Sequence, residues 1–520
     1  MSRSFQTPGR SAVYSTRAMI ATSHPLASLV GLETLRRDGC AVDAALAAVA
    51  TLCVVEPAMT GIGGDCFAIV ARRGAAPVAI NGSGRSPAGV DLQAAVESGM
   101  KAIPDNSPLA VTIPGAVAAW VRLHADYGRL PLGDVLEPAA AIAEAGYAIA
   151  PRVAWDWSHS VERLSRNPAA KARFLRDGVP WREGETHSQP ELAATLRAIG
   201  RQGRAAFYEG EAAADMVRTL RAEGGAHTLD DFAAQTADYG DPISARFGGC
   251  DILEHPPNGQ GATALLMLKA IEDWPEWRGA DAATRAHLFI GLTRKAYHLR
   301  DAAITDPAFM RVALEDFLGD PAVAYARSPG ADVGVLPWET DTTCLSVVDA
   351  DGMAVSFINS LFLPFGSTIL AEASGVMFHC RGTSFSLDPA HPNALAPRKR
   401  PMHTIIPGMV MKAGRPVMPF GVMGGDYQSA GHAHLLVRLL EEGMDLQAAI
   451  DAPRLFATPS SVQVEAGFDP AIAAALTARG HRLRPPPAPL GGAQAVWIDH
   501  ARGVLIGGSD PRKDGCALGY

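Results

Sequence analysis

Near the middle of the chain, the residues from Thr343 to Asn359 prescribe a β-hairpin, and few other segments are as restrictive. Positions 343–348 are strand formers, Asp349-Ala350-Asp351-Gly352 has the composition of a tight turn, and residues 353–359 return as a second strand. A glycine- and proline-bearing stretch over residues 328–337 precedes the hairpin and reads as an exposed linker. A second hairpin is expected from strand 404–411, a turn at Lys412-Ala413-Gly414-Arg415, and strand 416–421. Ahead of these strands the pattern is helical. Residues 25–55, 116–127, 136–145, 190–199 and 211–223 place apolar side chains at three-to-four intervals, with a strand-like pair, 66–71 and 77–81, between the first two. A further helix is expected over 431–442, just after Gly424-Gly425-Asp426. Strands with helices before and after them imply a layered α/β architecture, with helices covering both faces of the sheet.

A chain of 520 residues has room for two or three ordinary domains or one large α/β domain. No repeat of solenoid period is visible in it. The formal charge of -8 argues against nucleic-acid or anionic-membrane partners, because both are held by basic patches. The one dense basic run, Arg398-Lys399-Arg400 between Pro397 and Pro401, reads by itself as a solvated loop. Seven cysteines are scattered with no C-x-x-C pair, which suggests neither a disulfide framework nor a zinc knuckle and fits reduced thiols in cytoplasm. The N-terminal residues lack a continuous apolar stretch, and the apolar segment 41–55 carries Asp43 and reads as a buried helix, so neither export nor a membrane span is expected.

Thr342-Thr343, taken alone, is an ordinary way to open a strand. Its place after a segment that could be reached and cut, and before Ser346-Val347-Val348-Asp349-Ala350-Asp351-Gly352, is more telling. The segment resembles the γ-glutamyltransferase family, whose small subunit begins T-T-x-x-S-V-V-D-x-D-G after self-cleavage. The resemblance continues through Phe365-Gly366-Ser367, Lys399-Arg400-Pro401, Gly424-Gly425, Asp451-Ala452-Pro453-Arg454, Asp510-Pro511-Arg512 and Gly519-Tyr520. In the first half, Gly61-Ile62-Gly63-Gly64 and Ile113-Pro114-Gly115-Ala116-Val117 are similar to the family's large subunit.

The resemblance implies a four-layer αββα N-terminal-nucleophile hydrolase sandwich, formed by both halves of an autocleaved chain. It implies cleavage between Asp341 and Thr342 into a large subunit, 1–341, and a small subunit, 342–520, that stay together as a heterodimer and could dimerise further. No cofactor or metal is implied, and the partner is a small-molecule amide. Thr342 would be the nucleophile. A hydroxyl is weak at neutral pH and needs a base within reach, and a terminal threonine carries one in its own α-amine, with an ordinary pKa of about 7.7–8.0. Gly424-Gly425, at a strand end before a helix, matches the family's oxyanion hole, where close backbone N–H groups meet a favourable dipole. Ser360 falls where the family has a hydroxyl bonded to the nucleophile.

Other candidates carry less. His432 and His434 are two apart and would not face each other on a helix, so a metal pair is not expected. Gly61-Ile62-Gly63-Gly64-Asp65 lacks both the dinucleotide spacing and a P-loop lysine, and a tight turn between helix and strand accounts for it better.

The sequence also departs from the family. Glutamyl-specific members hold the substrate α-carboxylate with an arginine, and that position is Ser83 here, two residues before Arg85. The acidic partner of the substrate amine falls at Ser384, its neighbouring glutamine at Arg381, an asparagine at Phe362, and two clamp serines at His403 and Thr404. Losing an acid and gaining Arg381 favours a substrate that is anionic without being an amino acid, because guanidinium matches carboxylate with paired donors. Arg381, with Arg85, is therefore expected to bind the acyl carboxylate. Residues 386–399 are also shorter than the lid-bearing members require, so the pocket is expected to be open or closed by another loop. Three readings remain: a γ-glutamyl hydrolase or transferase acting on glutathione-like compounds, an oxamate-type or glutaryl amidohydrolase or acylase, and a non-catalytic relative.

Overall fold

The computed structural model describes residues 9–330 and 341–520, with the backbone only of Asp341. Most of the expected linker over 328–337 therefore lies outside the described residues. Two antiparallel seven-stranded sheets organise the rest. In spatial order one sheet runs Cys516–Gly519, Met19–Thr22, Asp341–Val348, Ala354–Phe362, Asp65–Ala71, Val78–Gly82 and Asp238–Gly240. The other runs Val13–Ser15, Val504–Ser509, Gly492–Asp499, Arg415–Met423, Gly408–Lys412, Cys250–Glu254 and Ile243–Phe247. Both expected hairpins are present, and the second turns through Ala413 and Gly414, at φ 49° and 72°.

The alternation of side chains along the central hairpin explains the layering. Leu345, Val347, Val355 and Phe357 face outward into a core shared with helices Ala41–Val55, Ala116–Tyr127 and Leu132–Ala145. Cys344 and Ile358, on the opposite face, pack with Phe67, Ile405 and Met423, between the two sheets. All nine residues of Ala354–Phe362 are buried, as a strand covered on both faces must be. On its far side the second sheet is covered by Gly261–Glu272, Ala282–Ala303 and Tyr427–Leu436, through a core that includes Leu265, Ile290, Phe420 and Leu436. The order is helix, sheet, sheet, helix, the αββα sandwich expected from the resemblance.

Three local expectations are corrected. The helical run over 25–55 is two helices, Pro25–Arg36 and Ala41–Val55, because Asp38 turns left-handed at φ 64° and Cys40 caps the second helix reciprocally with Asp43. The helix placed at 431–442 begins at Tyr427 and passes into a π-helical turn at Val437–Glu441. The basic run is solvated only at Arg398: Lys399 and Arg400 are only 1% and 6% exposed. Lys399 Nζ donates to the carbonyls of Pro392 and Ala394, and the Arg400 guanidinium to Ser83 O and Asp238. Buried cations need such partners, and a sequence run does not show where they will come from.

Candidate active site

Strand Asp341–Val348 pairs with Ala354–Phe362 in regular register except at its first residues. Asp341 faces Phe362 and Thr343 faces Asn359, so the register shifts around Thr342. Such an irregularity re-aims a side chain. Thr342 Oγ1 lies 3.0 Å from Ser360 Oγ, and both residues are 1% exposed. Ser360 Oγ also accepts from Phe362 N at 2.9 Å, and Thr343 Oγ1 donates to Asn359 O at 3.2 Å. Asn359 is fixed from the helical layer: Trp120 Nε1 donates to its Oδ1, and its Nδ2 donates to Thr60 Oγ1 and Gly61 O. Gly64 comes so near that a Cβ there would stand 2.3 Å from Ser360 O. The Gly61–Gly64 turn thus buttresses the serine strand.

Gly424 and Gly425 lie between strand Arg415–Met423 and helix Tyr427–Leu436, at φ 114° and 54°. Among the described residues neither backbone N–H has a hydrogen-bond partner. The turn is held from behind by residues that the sequence did not single out. Gln260 Nε2 donates to Gly425 O at 3.0 Å and to Thr404 O at 2.7 Å, and its Oε1 accepts from Arg300 Nη1 at 2.7 Å. Arg300 also pairs with Asp426, whose carbonyl accepts from Tyr297 Oη. A glutamine ahead of an apolar helix gives no local signal of this role, which depends on contacts across the fold.

Arg381 opens the short turn Arg381–Ser384 and is 1% exposed. Its guanidinium carbon stands 3.6 Å from the centre of the Phe362 ring, so an aromatic face carries the cation. Arg381 Nη1 donates to Ser384 Oγ at 3.2 Å and Nη2 to Thr404 Oγ1 at 2.9 Å. Among the described residues Nε has no hydrogen-bond partner and no carboxylate lies within ion-pair distance. Burial pulls the Arg381 pKa down to about 10, opposed chiefly by Asp65, so the group stays charged at neutral pH.

Next to Thr404, His403 Nε2 lies 3.0 Å from Asp65 Oδ2, with His379 Nδ1 3.5 Å from the same oxygen. Burial and Arg381 lower the His403 pKa to about 3, leaving it neutral. Burial raises the Asp65 carboxyl, but His379, His403 and the Gly84 N–H outweigh it and hold Asp65 below the usual range. A buried carboxylate behind a buried guanidinium balances the region without touching the cation.

The structure thus joins Thr342, Ser360, Phe362, Arg381, Ser384, Thr404 and His403 through successive contacts. It does not bring Arg85 into that set. The Arg85 side chain, 41% exposed, bonds Asp306 and Arg398 O and lies near Asp238, sharing no partner with Arg381. The Asp341 side chain lies outside the described residues. His432 is taken by Glu254 and Val422 N, and His434 by Tyr427 Oη.

A profile of the family described as Gamma-glutamyltranspeptidase matches residues 27–520. The chain is 37% identical to a Glutathione hydrolase-like YwrD proenzyme of Bacillus subtilis, over 98% of this chain and 99% of that protein. It is 35% identical to an Oxamate amidohydrolase proenzyme of Klebsiella pneumoniae, over 97% and 99%. Among solved structures, a cephalosporin acylase from Bacillus halodurans superposes with a TM-score of 0.93 at 36% identity, covering 100% of this chain and 99% of that one. The Helicobacter pylori gamma-glutamyltranspeptidase superposes with a TM-score of 0.54 at 27% identity, covering 60% and 92%.

Proposed function

This chain belongs to the gamma-glutamyltranspeptidase family, whose members hydrolyse or transfer amide-linked acyl groups, and we propose that it is an autoprocessing amidohydrolase for small amides with an anionic acyl half. Maturation begins when Thr342 Oγ1 attacks the carbonyl carbon of Asp341. The acyl group moves from nitrogen to oxygen, and water hydrolyses the resulting ester. The products are the Asp341 carboxylate and a free Thr342 α-amine. That amine then accepts the hydroxyl proton as Thr342 Oγ1 attacks the substrate amide. Gly424 and Gly425 N–H groups hold the developing oxyanion, and Ser360 fixes the threonine side chain. The substrate nitrogen leaves with the proton, and water, or an acceptor amine in the transfer reaction, releases the acyl group.

The substrate class is carried by one observation: Arg381 is a buried guanidinium with no carboxylate partner among the described residues and one unpartnered N–H. A desolvated cation is costly unless paired, so a ligand carboxylate would supply what the protein does not. Ser384, at the position of the family's ammonium partner, is itself bonded to Arg381 and offers no negative charge. Oxamate and glutaryl amides meet these demands. A γ-glutamyl substrate is the second reading, favoured by the glutathione hydrolase-like relative. A substrate panel separates them: glutaryl amides and oxamate should be hydrolysed with higher kcat/KM than γ-glutamyl amides, and all should exceed an uncharged butyryl amide. Equal rates on the butyryl and glutaryl amides would remove the role given to Arg381.

The two products of cleavage are proposed to remain one heterodimer in the cytoplasm. All seven cysteines are free, and no helix among the described residues is long and apolar enough to cross a membrane.

A further inference from the structure

Beside the glycine pair lies an open cleft of about 590 Å³, with Gly424, Gly491, Leu363 and Pro364 in its lining. This is within the range of roughly 300–1,000 Å³ usual for small-molecule sites. Leu363 follows Phe362, which carries Arg381, yet Arg381 does not line the cleft. The cleft therefore adjoins the proposed oxyanion site but lies apart from the proposed carboxylate site. An amide whose carbonyl oxygen meets the Gly424 N–H and whose acyl half reaches Arg381 has one part left to place, the substituent on its nitrogen.

The walls say what that substituent is. Each charged side chain among them already has an opposite partner: Asp105 with Arg163, Asp156 with Arg152, and Asp426 with Arg300. Arg163 donates further to the carbonyls of Pro364 and Gly366, so each of its three nitrogens is engaged by the wall. Trp155 is half-buried, and the exposed His159 ring stacks on it at 3.9 Å with an interplanar angle of 30°. The rim also contains Pro487, Ala488 and Pro489, where the prolines offer no N–H and hold the chain stiff. The rim is anchored where it runs into the oxyanion turn. Leu490 N donates to Glu465, and Gly491 lies so near the oxyanion turn that a Cβ on Gly424 would stand 2.7 Å from its Cα. A preformed cleft without an unpaired charge, with the exposed His159 ring in its wall, suits a flat apolar body better than a small charged amine.

We propose that this cleft seats the amine half of the substrate, that among amides of one acyl half it favours a bulky, flat and largely apolar amine over ammonia, and that Trp155 with His159 determines this preference. The proposal rests on the reading of Thr342 and the glycine pair given above. In the step concerned, the bond from Thr342 Oγ1 to the acyl carbon forms as the C–N bond breaks. The proton taken up by the Thr342 α-amine passes to the departing nitrogen, and the neutral amine is released into the cleft.

The test compares two amides with one acyl half, glutaryl-1-naphthylamide and glutaramic acid, in the processed enzyme and in Trp155→Ala, Trp155→Phe and His159→Ala. Trp155→Ala should lower kcat/KM for the naphthylamide about tenfold, the scale of a lost aromatic contact with its buried area. Hydrolysis of glutaramic acid and self-cleavage should change less than about twofold, and Trp155→Phe should restore most of the loss. Equal losses on both amides with a lowered Tm, or no loss on either, would overturn the proposal. Binding of 1-naphthylamine alone provides a readout independent of the acyl group: the parent should bind it, and Trp155→Ala more weakly. If the parent hydrolyses neither amide, the acyl reading fails, and this binding comparison still decides the role of the cleft. An equal affinity in parent and variant would overturn it.

Discussion

Thr342 differs from the other strand threonines by its surroundings: a register shift at the strand's start, a serine hydroxyl 3.0 Å away, and burial of both partners. Thr342→Ala should abolish both self-cleavage and turnover, while Thr342→Ser should keep part of each, since a hydroxyl and a terminal amine remain. Electrophoresis and amide hydrolysis measure the two effects; an alanine variant with parental activity would refute the assignment. Arg381→Ala should leave cleavage intact, because the Asp341 carbonyl requires no bound carboxylate. It should lower kcat/KM on anionic amides by roughly ten- to a hundredfold, the value of a charge-assisted contact of about 1.5–3 kcal/mol. Parental rates on every anionic amide would make it a structural arginine. At this scale the candidate residues themselves could be named from the sequence. The partners were not: that Phe362 lies under Arg381, or that Arg85 is held by Asp306, depends on chain segments far apart in sequence.

Elements were legible where local pattern decides them. Helix Ala116–Tyr127 falls where its periodicity places it, and Pro190–Gln202 and Glu211–Ala222 differ from expectation only at their C-terminal ends. The break between Arg36 and Ala41 was hidden because apolar spacing continues across it, and the left-handed turn at Asp38 leaves no mark in that spacing. Helix Tyr427–Leu436 begins four residues earlier than its leucines suggested, since its first turn is buried by polar residues such as Gln428 and Ser429. This earlier start matters for the site, because it puts the helix N-terminus immediately behind the glycine pair. Gly424→Ala should therefore depress kcat more than KM. At φ 114°, with a Cβ 2.7 Å from Gly491 Cα, the turn must shift and carry its N–H away from the oxyanion. Steady-state kinetics on a processed sample provide the check, and an unchanged kcat would remove Gly424 from the oxyanion hole.

Across the whole molecule, strands from both sides of the bond between Asp341 and Thr342 interleave in each sheet. Asp341–Val348 lies between Met19–Thr22 and Ala354–Phe362, and Gly408–Lys412 pairs with Cys250–Glu254. Cutting the chain there would leave the two products joined by sheet hydrogen bonds and common cores. Burial lowers the pKa of His24, His187, His227 and His255 to about 4, and that of His403, also opposed by Arg381, to about 3. Because the unfolded chain protonates near pH 6.5 and the folded one only well below it, their contribution to stability is intact above about pH 6.5 and declines as pH falls toward 4. Tm should fall steadily over that window, and a flat profile would contradict the buried neutral state. The central claim is tested most directly by the mass and N-terminal sequence of the purified protein. The account predicts two chains that elute together, residues 1–341 and 342–520, the smaller reading Thr-Thr-Cys-Leu-Ser. A single intact chain of 520 residues that hydrolyses amides, or a small chain beginning anywhere else, would contradict it.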